Sequence, residues 1–395
     1  MTPTSLFLAL SLLVAISADA QSERQLANWL KRFPKADLNG DGKLTVEEAS
    51  KFRKQFQRDR RPGGGRGVVR NFKVDEGWKK DRFPEHAVSY KSPEEIKAIY
   101  AKKVGEERAV RSFDKPTDGA IRVVGTGHSF MAPGYKTLPL IAKAAGMEQP
   151  LYTHTGGGMT GSTRYKWEQE NGIFQFDGRP TPKLLASISN AKWEAMMWGP
   201  YFNDKPEYYT CWVEFCLKYN PDMKFYLSDA WPQLHQLKEI PKSEEFFTEE
   251  VMDRLGRERS AEYTKLIELL NGKYGERVFI MPTSDAMVLA AKHYLRGELP
   301  GIEGLHKSVG KKERSLWRDT LGHLGPGFDQ LEGYVFYATL YGRSPELIRE
   351  PVAFREKGDF PGPELDRIFR KIAWQAVSNN PLSGVKDSDM DGVGD

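Results

Sequence analysis

Ile121-Arg-Val-Val-Gly-Thr-Gly-His-Ser-Phe130 is the stretch that decides the fold. A β-branched apolar run that ends in a glycine-rich turn and then presents a serine is how an α/β protein exposes a nucleophile at the carboxyl end of a strand. From Ala120 onward, short apolar runs alternate with longer amphipathic ones. Strands are predicted at 121–125, 151–154, 193–198, 223–227 and 278–281, and helices near 137–145, 204–218, 248–270 and 285–295. Such alternation predicts an α/β fold with a parallel sheet and helices on both faces, whose sites lie beyond the carboxyl ends of the strands. Ser129, the Gly156-Gly157-Gly158 turn and Asn203 all follow predicted strand ends, so three distant segments converge on one crevice.

A serine hydroxyl is a weak nucleophile until a base takes its proton. Acyl transfer therefore needs a histidine within hydrogen-bond reach and a carboxylate to orient it. Asp319-Thr-Leu-Gly-His323 offers both, almost two hundred residues downstream. The developing oxyanion needs fixed donors, and three are expected: the Ser129 backbone N–H, an N–H from the turn of Gly156, Gly157 and Gly158, and the Asn203 side-chain amide. Each residue also has a plainer use. Ser129 can cap the following helix, His323 can be a capping or core histidine, Asp319 can be a surface acid paired with Arg318, and Asn203 can be an N-cap beside Asp204.

Together these residues resemble the SGNH or GDSL-like hydrolases, in which serine, glycine, asparagine and histidine stand in four separated blocks. Gly127-His-Ser129 is similar to the first block, with His128 where an acidic residue is usual. Thr155-Gly-Gly-Gly-Met-Thr-Gly-Ser162 is similar to the second. Trp198-Gly-Pro-Tyr-Phe-Asn-Asp204 is similar to the third, with three residues between Gly199 and Asn203. In the fourth, Asp319 precedes His323 by four positions where three is usual. The likeness runs over about 120–345. It implies a flavodoxin-like three-layer sandwich, a serine esterase with Ser129 as nucleophile, His323 as base and Asp319 as its orienting acid, and an acyl or acetyl ester substrate, including esters on polysaccharide.

Asp37-Leu-Asn-Gly-Asp-Gly-Lys-Leu-Thr-Val-Glu-Glu48 fills every position of an EF-hand calcium loop. Asp37, Asn39 and Asp41 stand at 1, 3 and 5, Gly42 at the sharp turn, the Lys43 carbonyl at 7, Thr45 at 9, and Glu48 closes at 12. Leu26, Trp29, Leu30 and Phe33 form an apolar face just before it, so a small helical module at 21–57 with structural calcium is expected. Residues 387–395 repeat the first half of such a loop but lack the closing glutamate. Ahead of the module, the apolar run from Leu6 to Ile16 followed by Ala18-Asp-Ala20 fits a cleaved signal peptide over 1–20, and with it export to the periplasm or beyond.

The expected order is thus signal peptide (1–20), EF-hand module (21–57), linker and flanking segment (58–116), hydrolase domain (117–350) and C-terminal extension (351–395). Arg58 to Gly67 reads as a flexible basic linker, and a helix packed on the main domain is predicted at 93–103. With 58 basic against 54 acidic residues the net charge is only +4, which gives no case for a nucleic-acid partner. No run after the signal approaches a spanning length, and no motif points to an organic cofactor. Cys211 and Cys216, five apart on a predicted helix, face away from each other and read as buried thiols. His128 and His154 have no acidic third ligand near them in sequence, which weakens a metal reading. The aromatics Trp193, Trp198, Tyr201, Phe202, Tyr208, Tyr209 and Trp212 read as core and lid packing or, on a sharper reading, as a sugar-stacking platform. That platform belongs to the alternative function, an inactive calcium-dependent extracellular glycan-binding protein.

Overall fold

The computed structural model describes residues 26, 30, 34–45, 47–49, 51–52, 92–104, 110–155, 165, 168, 184–199, 206–229, 231–232, 234–354 and 360–395. The chain divides into two compact units, Met1–Val68 and Val69–Asp395. The predicted signal peptide and basic linker lie outside the described residues.

In the larger unit five strands form one parallel sheet: β1 (Val123–Gly127), β2 (Leu151–Thr155), β3 (Ala195–Trp198), β4 (Lys224–Ser228) and β5 (Val278–Met281). Their order is β2-β1-β3-β4-β5. Val123 pairs with Leu151 on one side and with Ala195 on the other, so the chain reverses its direction of travel between β1 and β3. A crevice opens beyond the carboxyl ends at such a point.

Successive residues of a strand face opposite sides of a sheet, and in β1, β3, β4 and β5 both sides are largely buried, while the edge strand β2 is half-buried. Val123, Ala195, Met197 and Tyr226 enter one core with Leu138, Leu331, Val335, Phe336 and Phe369. Val124, Met196, Trp198, Phe225 and Leu227 enter the other with Leu185, Trp212, Phe215 and Ile267. This two-sided burial is why the strands read as continuous apolar runs rather than alternating ones. The helices that supply the two layers include α1 (Pro93–Val104), α2 (Ala132–Ala144), α3 (Leu184–Asn190), α4 (Pro206–Tyr219), α5 (Glu249–Tyr274), α6 (Thr283–Leu295), α7 (Phe328–Tyr341) and α8 (Pro363–Asn379). Among the described residues no helix is long and apolar enough to cross a membrane.

Three features differ from the sequence expectation or extend it. First, α2 begins at Ala132, five residues earlier than expected. Pro133 and Gly134 read as loop residues, but proline is tolerated in a first helical turn, and the Gly134 amide is held by the Glu332 carboxylate at 2.7 Å. Second, α8 buries Leu365, Phe369, Ile372, Ala373 and Val377 in the first core, so the packed core continues past residue 350. Third, a two-stranded parallel sheet of β6 (Gly304–His306) and β7 (Ser315–Trp317) lies outside the main one. Helix α1 matches its predicted bounds closely, with Ile96 buried in the second core and the Pro93 carbonyl accepting from the Tyr219 hydroxyl at 2.5 Å.

In the smaller unit Ala36, Leu44 and Ala49 are buried together, with Leu26, Leu30 and Phe52 packed against them.

Candidate active site

Ser129 lies two residues beyond β1, in the turn that enters α2. The strand must end there in a conformation that side chains resist. Gly127 has φ +129°, and a Cβ at this position would meet Met131 Cγ at 2.8 Å and the Gly199 amide nitrogen at 3.1 Å. Glycine therefore lets the carboxyl ends of β1 and β3 come together, and the chain turns sharply enough to leave Ser129 exposed while its neighbours His128, Phe130 and Met131 are buried.

His323 arrives from the segment between β7 and α7. Its Nε2 lies 2.8 Å from Ser129 Oγ, and its Nδ1 lies 2.8 Å from Asp319 Oδ2. A carboxylate only accepts, so Nδ1 carries the proton and Nε2 is left to accept from the serine hydroxyl. Asp319 Oδ1 meanwhile accepts from the amides of Leu321 and His323, both at 3.1 Å. Partial burial works to raise the Asp319 carboxyl. The His323 amide, the His323 ring and the Leu321 amide outweigh that effect and hold it below the usual aspartate value. Asp319 therefore remains a carboxylate at neutral pH. The four-residue spacing from Asp319 to His323 is met by a tight turn, closed by the Gly322 amide on the Asp319 carbonyl at 3.1 Å.

Several contacts fix the histidine loop. The Arg318 amide donates to the His323 carbonyl at 2.8 Å, and the Gly325 amide to the Leu316 carbonyl at 2.6 Å. A Cβ on Gly325 would lie 1.7 Å from the Ser315 carbonyl oxygen, so only glycine lets the loop lie flat on β7. The buried Trp231 indole donates to the Gly322 carbonyl. Phe130 bridges the two sides, packing on Trp231 with ring centroids 4.7 Å apart and edge-on to His323 at 5.1 Å. His306 stacks on Trp317 behind the loop, at 4.8 Å. Burial holds its ring down at about 4, against a weak opposing pull from Asp319, so it stays neutral.

A cleft of about 530 Å³ opens over Ser129 and His323, with Lys136, Trp231, Lys307 and Arg318 among its lining residues. Below it, Glu332 is fully enclosed. Burial pushes its carboxyl well above the ordinary range; the nearby Asp329 charge adds to this and the Gly134 amide opposes it. Burial thus favours the protonated form of Glu332, which accepts from the Gly134 amide in the first turn of α2.

The structure brings Ser129, His323 and Asp319 together. Gly156, Gly157, Gly158 and Asn203 lie outside the described residues. The Ser129 amide donates to no acceptor among the described residues. Trp231, Arg318 and Glu332 also shape the site, and no local motif marks Trp231 or Glu332 because their contacts join distant segments.

Other sequence expectations have different outcomes. A carboxylate does reach His154: Glu168, fully buried, pairs with its Nδ1. This pair lies outside the only cluster of three acidic, histidine or cysteine ligands found among the described residues, which is Asp387, Asp389 and Asp391, their oxygens within 4.8 Å of one another. Cys211 and Cys216 are both buried, and burial pushes the Cys216 thiol up, out of reach of reactivity. Trp193, Trp198, Tyr209 and Trp212 are all at least 97% buried, so they are core residues and cannot form a sugar-stacking platform. Tyr201 and Phe202 lie outside the described residues.

In the smaller unit, Glu48 Oε1 accepts from the Leu38 and Asn39 amides at 3.3 Å, and Oε2 accepts from the Thr45 amide and hydroxyl at 3.0 and 2.7 Å. The two Thr45 contacts lower the Glu48 carboxyl; burial opposes them, and the Asn39 and Leu38 amides add smaller downward effects. Asp37 accepts from the Gly40, Asp41 and Gly42 amides. The loop thus folds around its own carboxylates, with Gly40 and Gly42 at φ +76° and +77°. Its donors are all hard oxygens, the set that suits calcium.

No family model and no curated protein matches this chain. Among solved structures it is similar to a DUF4886 family protein from Bacteroides uniformis. The identity is 13% and the TM-score 0.41, with 65% of this chain and 95% of the other aligned.

Proposed function

We propose that this chain is an exported serine ester hydrolase of the SGNH type, with a flavodoxin-like sandwich as its catalytic domain and a structural calcium site in the N-terminal EF-hand. The observation that carries this reading is the unbroken relay from Ser129 Oγ through His323 to Asp319, each link 2.8 Å, at the carboxyl end of β1 and open to a cleft.

In this mechanism Ser129 Oγ attacks the ester carbonyl carbon and its proton passes to His323 Nε2. The negative charge on the carbonyl oxygen is met by the Ser129 N–H. Such a donor contributes about 3 kcal/mol to the transition state in related chemistry. Asp319 stays ionised and stabilises the imidazolium. As the tetrahedral intermediate collapses, the ester C–O bond breaks and Nε2–H gives its proton to the departing alkoxide. Water then repeats the sequence on the acyl-enzyme, losing its proton to Nε2, and the acid leaves Ser129. Asp37, Asn39, Asp41, Lys43 through its carbonyl, Thr45 and Glu48 would hold calcium. That ion would brace the helix pair and take no part in the chemistry.

The alternative, an inactive glycan-binding protein, loses support because four of its seven proposed aromatic contacts are buried in the core. The test is hydrolysis of aryl acetates by the purified protein beside Ser129→Ala. Hydrolysis that vanishes in a folded Ser129→Ala supports the esterase. Equal rates in the two proteins refute it.

A further inference from the structure

Three basic side chains line the cleft over Ser129: Lys136, Lys307 and Arg318. The two lysines have local partners in the same wall. Lys136 Nζ lies 3.5 Å from Asp329 and Lys307 Nζ lies 2.5 Å from Glu313. Arg318 is different. Its nearest acid is Asp319, whose Oδ2 stands 3.8 Å from Nε, too far for a hydrogen bond, and that oxygen already accepts from His323 Nδ1. The Arg318 side chain makes no hydrogen bond among the described residues, although its backbone is pinned by the bond to His323. A guanidinium carries five N–H donors in a planar fork that matches a carboxylate bidentately. Here that fork is held at the rim of a catalytic cleft, 61% exposed.

We infer that Arg318 is a specificity residue that binds a carboxylate on the substrate, so that the preferred esters carry an acid group on the alcohol or acyl part beside the scissile bond. This rests on the esterase reading of the same site. The cleft, at about 530 Å³, has room for a ring-sized substituent next to the reacting carbonyl. Arginine is suited to the task because it stays charged at any working pH, and because a charge-assisted fork outlasts the competition of water better than a lysine point charge.

The test compares 4-carboxyphenyl acetate with its neutral analogue 4-carbamoylphenyl acetate, and 4-nitrophenyl hydrogen glutarate with 4-nitrophenyl butyrate. The first pair carries the acid in the alcohol, the second in the acyl group. Wild type and Arg318→Gln are run side by side, so intrinsic leaving-group differences cancel. The expected result is that Arg318→Gln lowers the charged-to-neutral ratio of kcat/KM about tenfold or more in one of the pairs, and that Arg318→Lys restores only part of it. The preference of wild type should also weaken between about 50 and 500 mM salt, as a cleft-rim charge pair requires. An unchanged ratio in both pairs overturns the proposal, including the case in which Arg318→Gln slows charged and neutral esters equally, which would mark Arg318 as acting through Asp319. Binding of 4-hydroxybenzoate against 4-hydroxybenzamide by calorimetry needs no turnover. If wild type neither hydrolyses esters nor labels at Ser129, the esterase reading fails by itself, and equal or absent binding of the two phenols then rejects the carboxylate site separately.

Discussion

On the proposed esterase mechanism, Asp319→Asn should abolish ester hydrolysis while leaving the protein folded. Asp319 makes three contacts with its loop: Oδ1 accepts the Leu321 and His323 amides at 3.1 Å, and Oδ2 faces His323 Nδ1 at 2.8 Å. The asparagine oxygen can keep both amides, so the turn persists, and the NH₂ group then faces Nδ1. Two donors cannot share that line. The ring must place its proton on Nε2, where it points at Ser129 Oγ and can no longer accept the serine proton. The expected loss of kcat is about 10⁴-fold, or ~5.5 kcal/mol of transition-state stabilisation. The change in folding stability should stay within about 1 kcal/mol, because the side chain is 39% exposed and solvent screens its charge. Asp319→Ala also strips the two amide bonds and should cost about 1–2 kcal/mol more in stability. Stopped-time hydrolysis of 4-nitrophenyl acetate measures the rate, and thermal unfolding measures the fold. An asparagine variant that keeps more than about a tenth of the wild-type kcat would show that Asp319 does not set the tautomer.

Trp231→Phe keeps the aromatic packing on Phe130 but removes the indole N–H from the Gly322 carbonyl; kcat should fall about tenfold with KM little changed, and a variant with wild-type kcat would mean that the bond does not position His323. Glu332 is buried with a raised pKa, so the folded state binds a proton that the unfolded state releases above its own lower pKa. Its effect is absent below that lower value and then costs stability increasingly as pH rises, by at most about 1.4 kcal/mol per pH unit, until the folded pKa is passed. Glu332→Gln mimics the protonated acid and should flatten the fall in stability between about pH 5 and 8, as read by urea unfolding; an unchanged slope would refute a protonated Glu332. Asp229, buried with a raised carboxyl through burial and the Asp285 charge, gives a residual slope of the same sign. Glu48→Gln should sharply weaken calcium binding by calorimetry and abolish any calcium-dependent rise in thermal stability, and wild type that neither binds nor is stabilised by calcium would dismiss the EF-hand.

The sheet was legible because both its faces are buried, which leaves runs such as Val278-Phe-Ile-Met281 uninterrupted by polar residues. Helices α4, α5 and α6 were legible through their apolar spacing, whereas the start of α2 was hidden by Pro133 and Gly134. Helix α8 carried a readable signal in Leu365, Phe369, Ile372, Ala373 and Val377, spaced along one face. Its burial follows from the match between that face and α7. Within the site, the meeting of Ser129, His323 and Asp319 was legible because acyl transfer would need those residue types together, and because Ser129 follows a strand readable from the sequence. The supports were not. Trp231 meets Gly322 across 91 positions and Gly134 meets Glu332 across 198, and neither contact leaves a period or motif in the chain. Trp193, Trp198, Tyr209 and Trp212 show the opposite limit: aromatic clustering alone does not say which side of a helix or strand faces water.

The most direct test of an activated serine is reaction of the purified protein with a fluorophosphonate, beside Ser129→Ala and His323→Ala. The account predicts a covalent adduct on Ser129 of the wild type and none in either folded variant. A folded wild type that stays unlabelled, or a label that persists in Ser129→Ala, would contradict it.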